Sequence, residues 1–133
     1  MQTYYAIFYP IKEGYGVRLP DAPAINTSGR NLEDALAMAM DALSGLLVIG
    51  RKGREYLAPR PYHEIKAEAQ GGELVFPVVP SEKIMDEYRP KKRINVMVPV
   101  DLLAKVGEYV EHSDRDRSYF FCQAAEQYLA HHP

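Results

Sequence analysis

The hydrophobic pattern of this chain changes period several times, and each change marks an element. Residues 4–9, Tyr-Tyr-Ala-Ile-Phe-Tyr, are aromatic and apolar throughout and predict a strand. Glu13-Gly14 supplies turn chemistry. Beyond it Tyr15, Val17 and Leu19 alternate with Gly16 and Arg18, so the two segments predict a β-hairpin. Pro20-Asp21-Ala22-Pro23 stops the second strand, and a short third strand is expected over Ala24–Thr27, with Ser28-Gly29-Arg30 as the turn after it. From Leu32 the period lengthens. Leu32, Ala35, Leu36, Ala39, Leu43, Leu46 and Leu47 recur at helical spacing and make one apolar stripe, so this helix should cover one face of the sheet. Asn31 suits its N-cap, Asp34 its first turn, and Gly50 its end.

Residues 51–73 lack a period. Arg51-Lys52-Gly53-Arg54 is basic, and Pro59 and Pro61 forbid a continuous helix, so an irregular excursion with at most a helical turn is expected. Leu74–Val79, introduced by Gly71-Gly72 and ended by Pro80, predicts a strand. Ser81–Pro90 is polar apart from Ile84-Met85 and reads as a short linking helix. Arg93–Val98 then alternates strictly. Ile94, Val96 and Val98 point one way and need a core; Arg93, Asn95 and Met97 point the other. Pro99 ends this strand and can open a helix carrying Leu102, Leu103, Val106, Tyr109 and Val110. Asp114–Asp116 makes a turn, with Asp116 as candidate N-cap of a last helix bearing Phe120, Phe121, Ala124, Ala125, Tyr128 and Leu129.

The part from Arg93 onward is too short to bury an adequate core alone, and a lone strand leaves its edges unpaired. Antiparallel pairing of two copies answers both needs. Ile94, Val96 and Val98 of each copy would lie over four helices, and Arg93, Asn95 and Met97 would project from a two-stranded ribbon of a size that enters the major groove. Arginine can bond bidentately to guanine, asparagine to adenine, and methionine can touch a thymine methyl. Backbone N–H groups near Arg117 and Ser118 would meet phosphate.

Composition narrows the class. The 133 residues, 47% hydrophobic and 26% charged, are those of a globular chain of one or two domains. No apolar run is long enough to span a bilayer, and Met1-Gln2-Thr3-Tyr4-Tyr5 lacks a basic, then apolar, leader, so a cytoplasmic protein without membrane contact is expected. The net charge of −2 hides a local excess: Arg89, Lys91, Lys92 and Arg93 stand together without an acid. Such a patch can hold phosphate at one site, with Lys91 and Lys92 as candidates; a solvated linker has the same composition, and charge alone leaves the two open.

Catalysis finds little support. Two-metal nuclease chemistry needs clustered carboxylates, and no acid falls in the middle of the first strand. Glu33, Asp34 and Asp41 on the leucine-alanine helix instead suggest a surface facing a basic partner. His63, His112, His131 and His132 have no ligand spacing, so no metal and no cofactor is expected. Cys122, the single cysteine, excludes an internal disulfide and is expected to be a buried structural residue beside Phe121. The ten tyrosines are expected in the core and at sheet edges rather than as a base-stacking platform.

Two family patterns are now visible. Arg93–Val98, Pro99, Leu102-Leu103, Arg117-Ser118 and Ala124 resemble the ribbon-helix-helix module. Tyr5-Ala6, Gly14-Tyr15-Gly16-Val17, Pro20-Asp21, Thr27 with Gly29, and Glu33-Asp34-Ala35-Leu36 resemble the HicB antitoxin domain. The resemblance covers residues 3–80 and 91–131. It implies an α+β fold: a small N-terminal antiparallel sheet packed with a helix, like a truncated ribonuclease H fold without its activity, and a C-terminal ribbon-helix-helix that dimerises. The implied domains are 1–80 for toxin binding, 81–90 as linker and 91–133 for DNA. The implied function is that of a non-enzymatic antitoxin of a type II system, masking a HicA-like mRNA-cleaving ribonuclease and repressing its own operon at operator DNA. An orphan ribbon-helix-helix regulator without a toxin is the alternative. Pairing of the N-terminal domains as well would make tetramers or larger. Two residues depart from the family pattern: Ala24 replaces a usual glycine, and Asp116 stands where a serine often precedes Arg-Ser and would repel phosphate.

Overall fold

A computed structural model of the chain describes residues 2–50 and 56–133; the basic run Arg51-Lys52-Gly53-Arg54 lies outside them. The described chain is α+β and divides into two compact units, residues 1–91 and 92–133.

The first unit is built on an antiparallel sheet. Strands β1 (Tyr4–Ile11), β2 (Gly14–Arg18), β3 (Asn26–Gly29) and β4 (Leu74–Val78) lie in the order β3-β2-β1-β4. β1 is central and pairs Phe8 with Val17 on one side and Ala6 with Phe76 on the other. The turn into β2 depends on Gly14, whose φ of +130° and close approach to the Gly29 carbonyl leave no room for a Cβ. Alternation along β1 separates two faces. Tyr4, Ala6 and Phe8 join Val17, Leu19 and Val78 in the core beneath helix α1 (Leu32–Ile49), which contributes Ala35, Ala39, Leu43 and Leu46. Full burial of each large apolar side chain here is worth about 1.5–3 kcal/mol, so this layer supplies most of the unit's stability. Asn31 caps α1 as expected, its side chain accepting from Asp34 N at 2.8 Å.

Several expectations are corrected. The third strand begins at Asn26 rather than Ala24, because Ala22 N and Ile25 N bond back to Leu19 and Ala22 carbonyls and fold residues 19–25 into successive turns. The stretch expected to be irregular contains helix α2 (Tyr62–Glu68), with Pro61 just before it where a proline costs nothing. α2 packs on β1 and β4 from the face opposite α1. Ile65 is fully buried, as is Ile7 on that face, and the Tyr62 ring meets Tyr5 edge-on at 5.7 Å. Leu36, included in the apolar stripe, lies on the exposed side of α1. The polar stretch after β4 forms helix α3 (Glu82–Tyr88), which does not run free but packs along α1 and falls within the first unit.

The second unit holds helices α4 (Val100–Glu111) and α5 (Arg117–His131), with Pro99 before the first and Asp116 capping the second. Tyr109, Phe120 and Phe121 form a chain of edge-on rings at 5.5 and 5.9 Å. Only Val106 of this unit is buried. Arg93–Val98, expected as a strand, has no ladder partner among the described residues. A strand needs a second strand for its hydrogen bonds, and this short unit supplies none. Cys122, expected in the interior, is exposed. It lies roughly 200° around α5 from Phe120, which faces α4, so it points away from the seam.

Candidate nucleic-acid and partner interfaces

The candidate reading residues stand in an uncovered stretch of the chain. Arg93 and Asn95 are exposed, and Met97 is 98% exposed. Their apolar neighbours are exposed too: Ile94 by 73% and Val96 by 69%, with Val98 half-buried. A β-branched face this open has its core-forming side uncovered. The same is true of the helices. Val100, Leu102, Tyr109, Tyr128 and Leu129 are exposed, and an open groove of about 360 Å³ runs between α4 and α5, lined by Tyr109, Val110, Phe120 and Ala124 among others.

The phosphate candidates fall in three places. Arg117 and Ser118 are exposed in the first turn of α5. Asp116 just before them turns its carboxylate back onto Tyr119 N at 2.9 Å, and the Arg115 guanidinium lies 3.6 Å over the Tyr119 ring. Lys92 is exposed. Lys91 is drawn toward the α3 carboxylate of Asp86, its Nζ 3.8 Å from Oδ2.

On the first unit, α1 carries Glu33, Asp34 and Asp41 in different environments. Glu33 is exposed. Asp34 accepts from the Arg30 backbone N–H at 3.0 Å and from its guanidinium at 3.4 Å, which hold its carboxyl below the usual carboxylate range. Asp41 accepts from the Tyr88 hydroxyl at 2.9 Å, so it ties α3 to α1; that bond, with burial, pushes the Tyr88 hydroxyl up. Exposed Met38 lies one turn from both Asp34 and Asp41.

One polar centre joins residues whose pairing the sequence did not show. Asp21 is buried. Its carboxylate accepts from Arg60 Nε at 2.7 Å and Arg60 N at 2.8 Å, and its carbonyl accepts from Leu57 N at 2.7 Å. The Tyr4 hydroxyl donates to the Leu57 carbonyl at 2.9 Å. Arg60 also reaches Glu68 at 2.8 Å, so one arginine joins the turn after β2 to α2, beside the two bonds at Leu57. Arg18 and Glu73 make a second long-range pair at 3.2 Å, lowering the Glu73 carboxyl. No group of three or more His, Cys, Asp and Glu is arranged for a metal ion among the described residues, and no described helix is long and apolar enough to cross a membrane.

A family model described as the HicB-like antitoxin of bacterial toxin-antitoxin systems matches residues 6–125, through both units. Among solved structures, an antitoxin HicB from Burkholderia pseudomallei is similar over 94% of this chain and 96% of its own, at 25% identity and a TM-score of 0.54. A chain from a toxin-antitoxin complex of Streptococcus pneumoniae is similar over 94% of this chain and 97% of its own, at 18% identity and a TM-score of 0.51, a likeness of fold. Among curated proteins, none matches.

Proposed function

This chain belongs to the HicB-like antitoxins of bacterial toxin-antitoxin systems, and from that premise we propose that it acts as both antitoxin and autorepressor. The observation that carries the proposal is a single family match running through a sheet-and-helix unit and the helical unit after it. In this reading the first unit masks a small ribonuclease toxin of the HicA type without chemistry of its own. Glu33 and Asp34 of α1, with Met38 between the acids, would face the basic toxin. Asp41 would contribute through the α1–α3 contact, since Tyr88 already holds it.

The second unit would bind operator DNA as a dimer. The exposed Ile94 and Val96 and the open groove between α4 and α5 support a second copy as the missing half of the core. Two copies of 93–98 would form the ribbon, with Arg93, Asn95 and Met97 toward base edges and Lys91, Lys92, Arg117 and Ser118 toward phosphate.

The test uses a labelled duplex from the region upstream of the protein's own coding sequence, beside a random-sequence duplex. Asn95→Ala should erase preference for the upstream duplex, at a cost of ~1–3 kcal/mol. Lys92→Ala should weaken both duplexes alike and make the salt dependence shallower by about one charge. Unchanged preference in Asn95→Ala would overturn the register. For the masking role, Glu33→Lys with Asp34→Lys should weaken binding of the small basic protein encoded beside it. No such neighbour, with operator binding intact, would leave an orphan regulator.

A further inference from the structure

We infer that α3 is a docked strap whose Asp86 carboxylate holds Arg89 and Lys91 in place of DNA phosphate, an internal competitor for the basic segment that leads into the ribbon; this rests on the DNA-binding reading above. The geometry fixes α3 at both ends. At its start Ser81 N donates to Ser44 Oγ at 2.9 Å, and that hydroxyl donates to the Met40 carbonyl at 2.7 Å inside α1. At its end the Tyr88 ring lies flat on Gly45, where an added Cβ would stand 3.0 Å from a ring carbon, and the Tyr88 hydroxyl reaches Asp41. Gly45 and Ser44 are buried for this reason, in the middle of a helix whose other buried residues face the sheet.

Between these anchors Asp86 has little freedom. Its Oδ1 lies 3.8 Å from Arg89 Nη1, its Oδ2 lies 3.8 Å from Lys91 Nζ, and its carbonyl accepts from Arg89 N at 3.3 Å. One carboxylate thus meets two of the four cations in residues 89–93. Both cations are more than half exposed, so the pairs are weak and readily exchanged. DNA offers a row of phosphates that two cations can meet at once, and a lone carboxylate cannot match it. The consequence is a lower affinity for DNA at large: contacts at 89 and 91 form only when Asp86 has been displaced.

The experiment measures binding of the full-length protein to a fluorescein-labelled random-sequence duplex over a range of salt. Asp86→Asn removes the competing charge and keeps the side chain's size; it also removes an anion from the C-terminal half of a helix, which favours that helix. It should bind about three- to tenfold tighter at low salt, with a salt slope steeper by about one. Made in an Arg89→Gln, Lys91→Gln protein, Asp86→Asn should give no gain over that background. Equal binding by Asp86→Asn and the natural protein, with Lys92→Ala still weakening it, would overturn the strap and leave the DNA-binding reading standing. Persistence of the gain without Arg89 and Lys91 would overturn it as well. If neither Lys92→Ala nor Asp86→Asn changed binding, both readings would fall together.

Discussion

At Asp21 one buried carboxylate fastens a whole segment. Both its oxygens take N–H groups of Arg60, which tie the chain before α2 to the turn after β2. Removing the arginine strands a charge in the interior, which costs more than losing an exposed pair. Arg60→Ala should therefore lower the melting temperature further than Arg30→Ala, whose Asp34 partner pair is largely exposed, and speed hydrogen exchange at the Leu57 amide. Equal melting temperatures for the two variants would refute this ranking. Glu73 and Asp34 add to stability against acid. Their folded carboxyls titrate below their ordinary values of 4.5 and 3.8, through Arg18 for the first and the Arg30 backbone for the second. In that range the unfolded chain binds more protons, so stability rises with pH. The contribution is complete above the ordinary values and is lost as pH falls through the depressed ones. Arg18→Gln should flatten the acid arm of melting temperature against pH without moving the neutral plateau by more than an exposed pair is worth.

At the scale of elements, α3 stands out because its attachment comes from small contacts. Gly45→Leu would put a side chain into the Tyr88 ring, which must then leave its seat on α1 and loosen α3 with it. The expected result is fast hydrogen exchange over residues 82–88 and faster tryptic cleavage after Lys83, with the amides of β1 and α1 still protected. Protection of 82–88 in that variant would mean that the dock lies elsewhere. The elements also show what was legible beforehand. β1, β2, β4, α1, α4 and α5 announce themselves by local period and caps, since each buries a face that its own spacing defines. The start of β3 does not, because it is fixed by turns that pull Ile25 into the core. The docking of α2 does not either: it depends on Asp21 meeting Arg60 across 39 residues. Nor does the seat of Tyr88 on Gly45, since nothing local in the helix shows that a ring will cover that position. The segment 93–98 is the reverse case. Its alternation was plain in the sequence, yet a single chain leaves it unpaired, because a ladder is a property of two strands.

The whole molecule joins a first unit with its own core to a second unit that lacks one. In residues 92–133 only Val106 is buried, while Ile94, Val96, Leu102, Tyr109 and Leu129 remain open to solvent. So short a unit with so much apolar surface is not expected to hold a fixed structure by itself. In the proposed reading a second copy covers those side chains, and the face to be covered carries the alternation that would send Arg93 and Asn95 the other way. In that reading dimerisation and DNA binding would both depend on residues 93–98, and a substitution on their apolar face should remove both. Val96→Glu in the full-length protein puts a carboxylate where the two copies would meet. Sedimentation velocity at micromolar protein should show the natural chain as a dimer or larger and the variant shifted toward monomer, or toward the species held by the first unit alone. Affinity for the upstream duplex should fall by more than in Asn95→Ala, and affinity for the random duplex should fall with it, because halving the assembly halves its phosphate contacts. Binding of the toxin, which the proposed reading assigns to the first unit, should be retained. A Val96→Glu protein that kept both its mass and its operator affinity would show that the ribbon is not the seam, and that residues 93–98 are held in some other way.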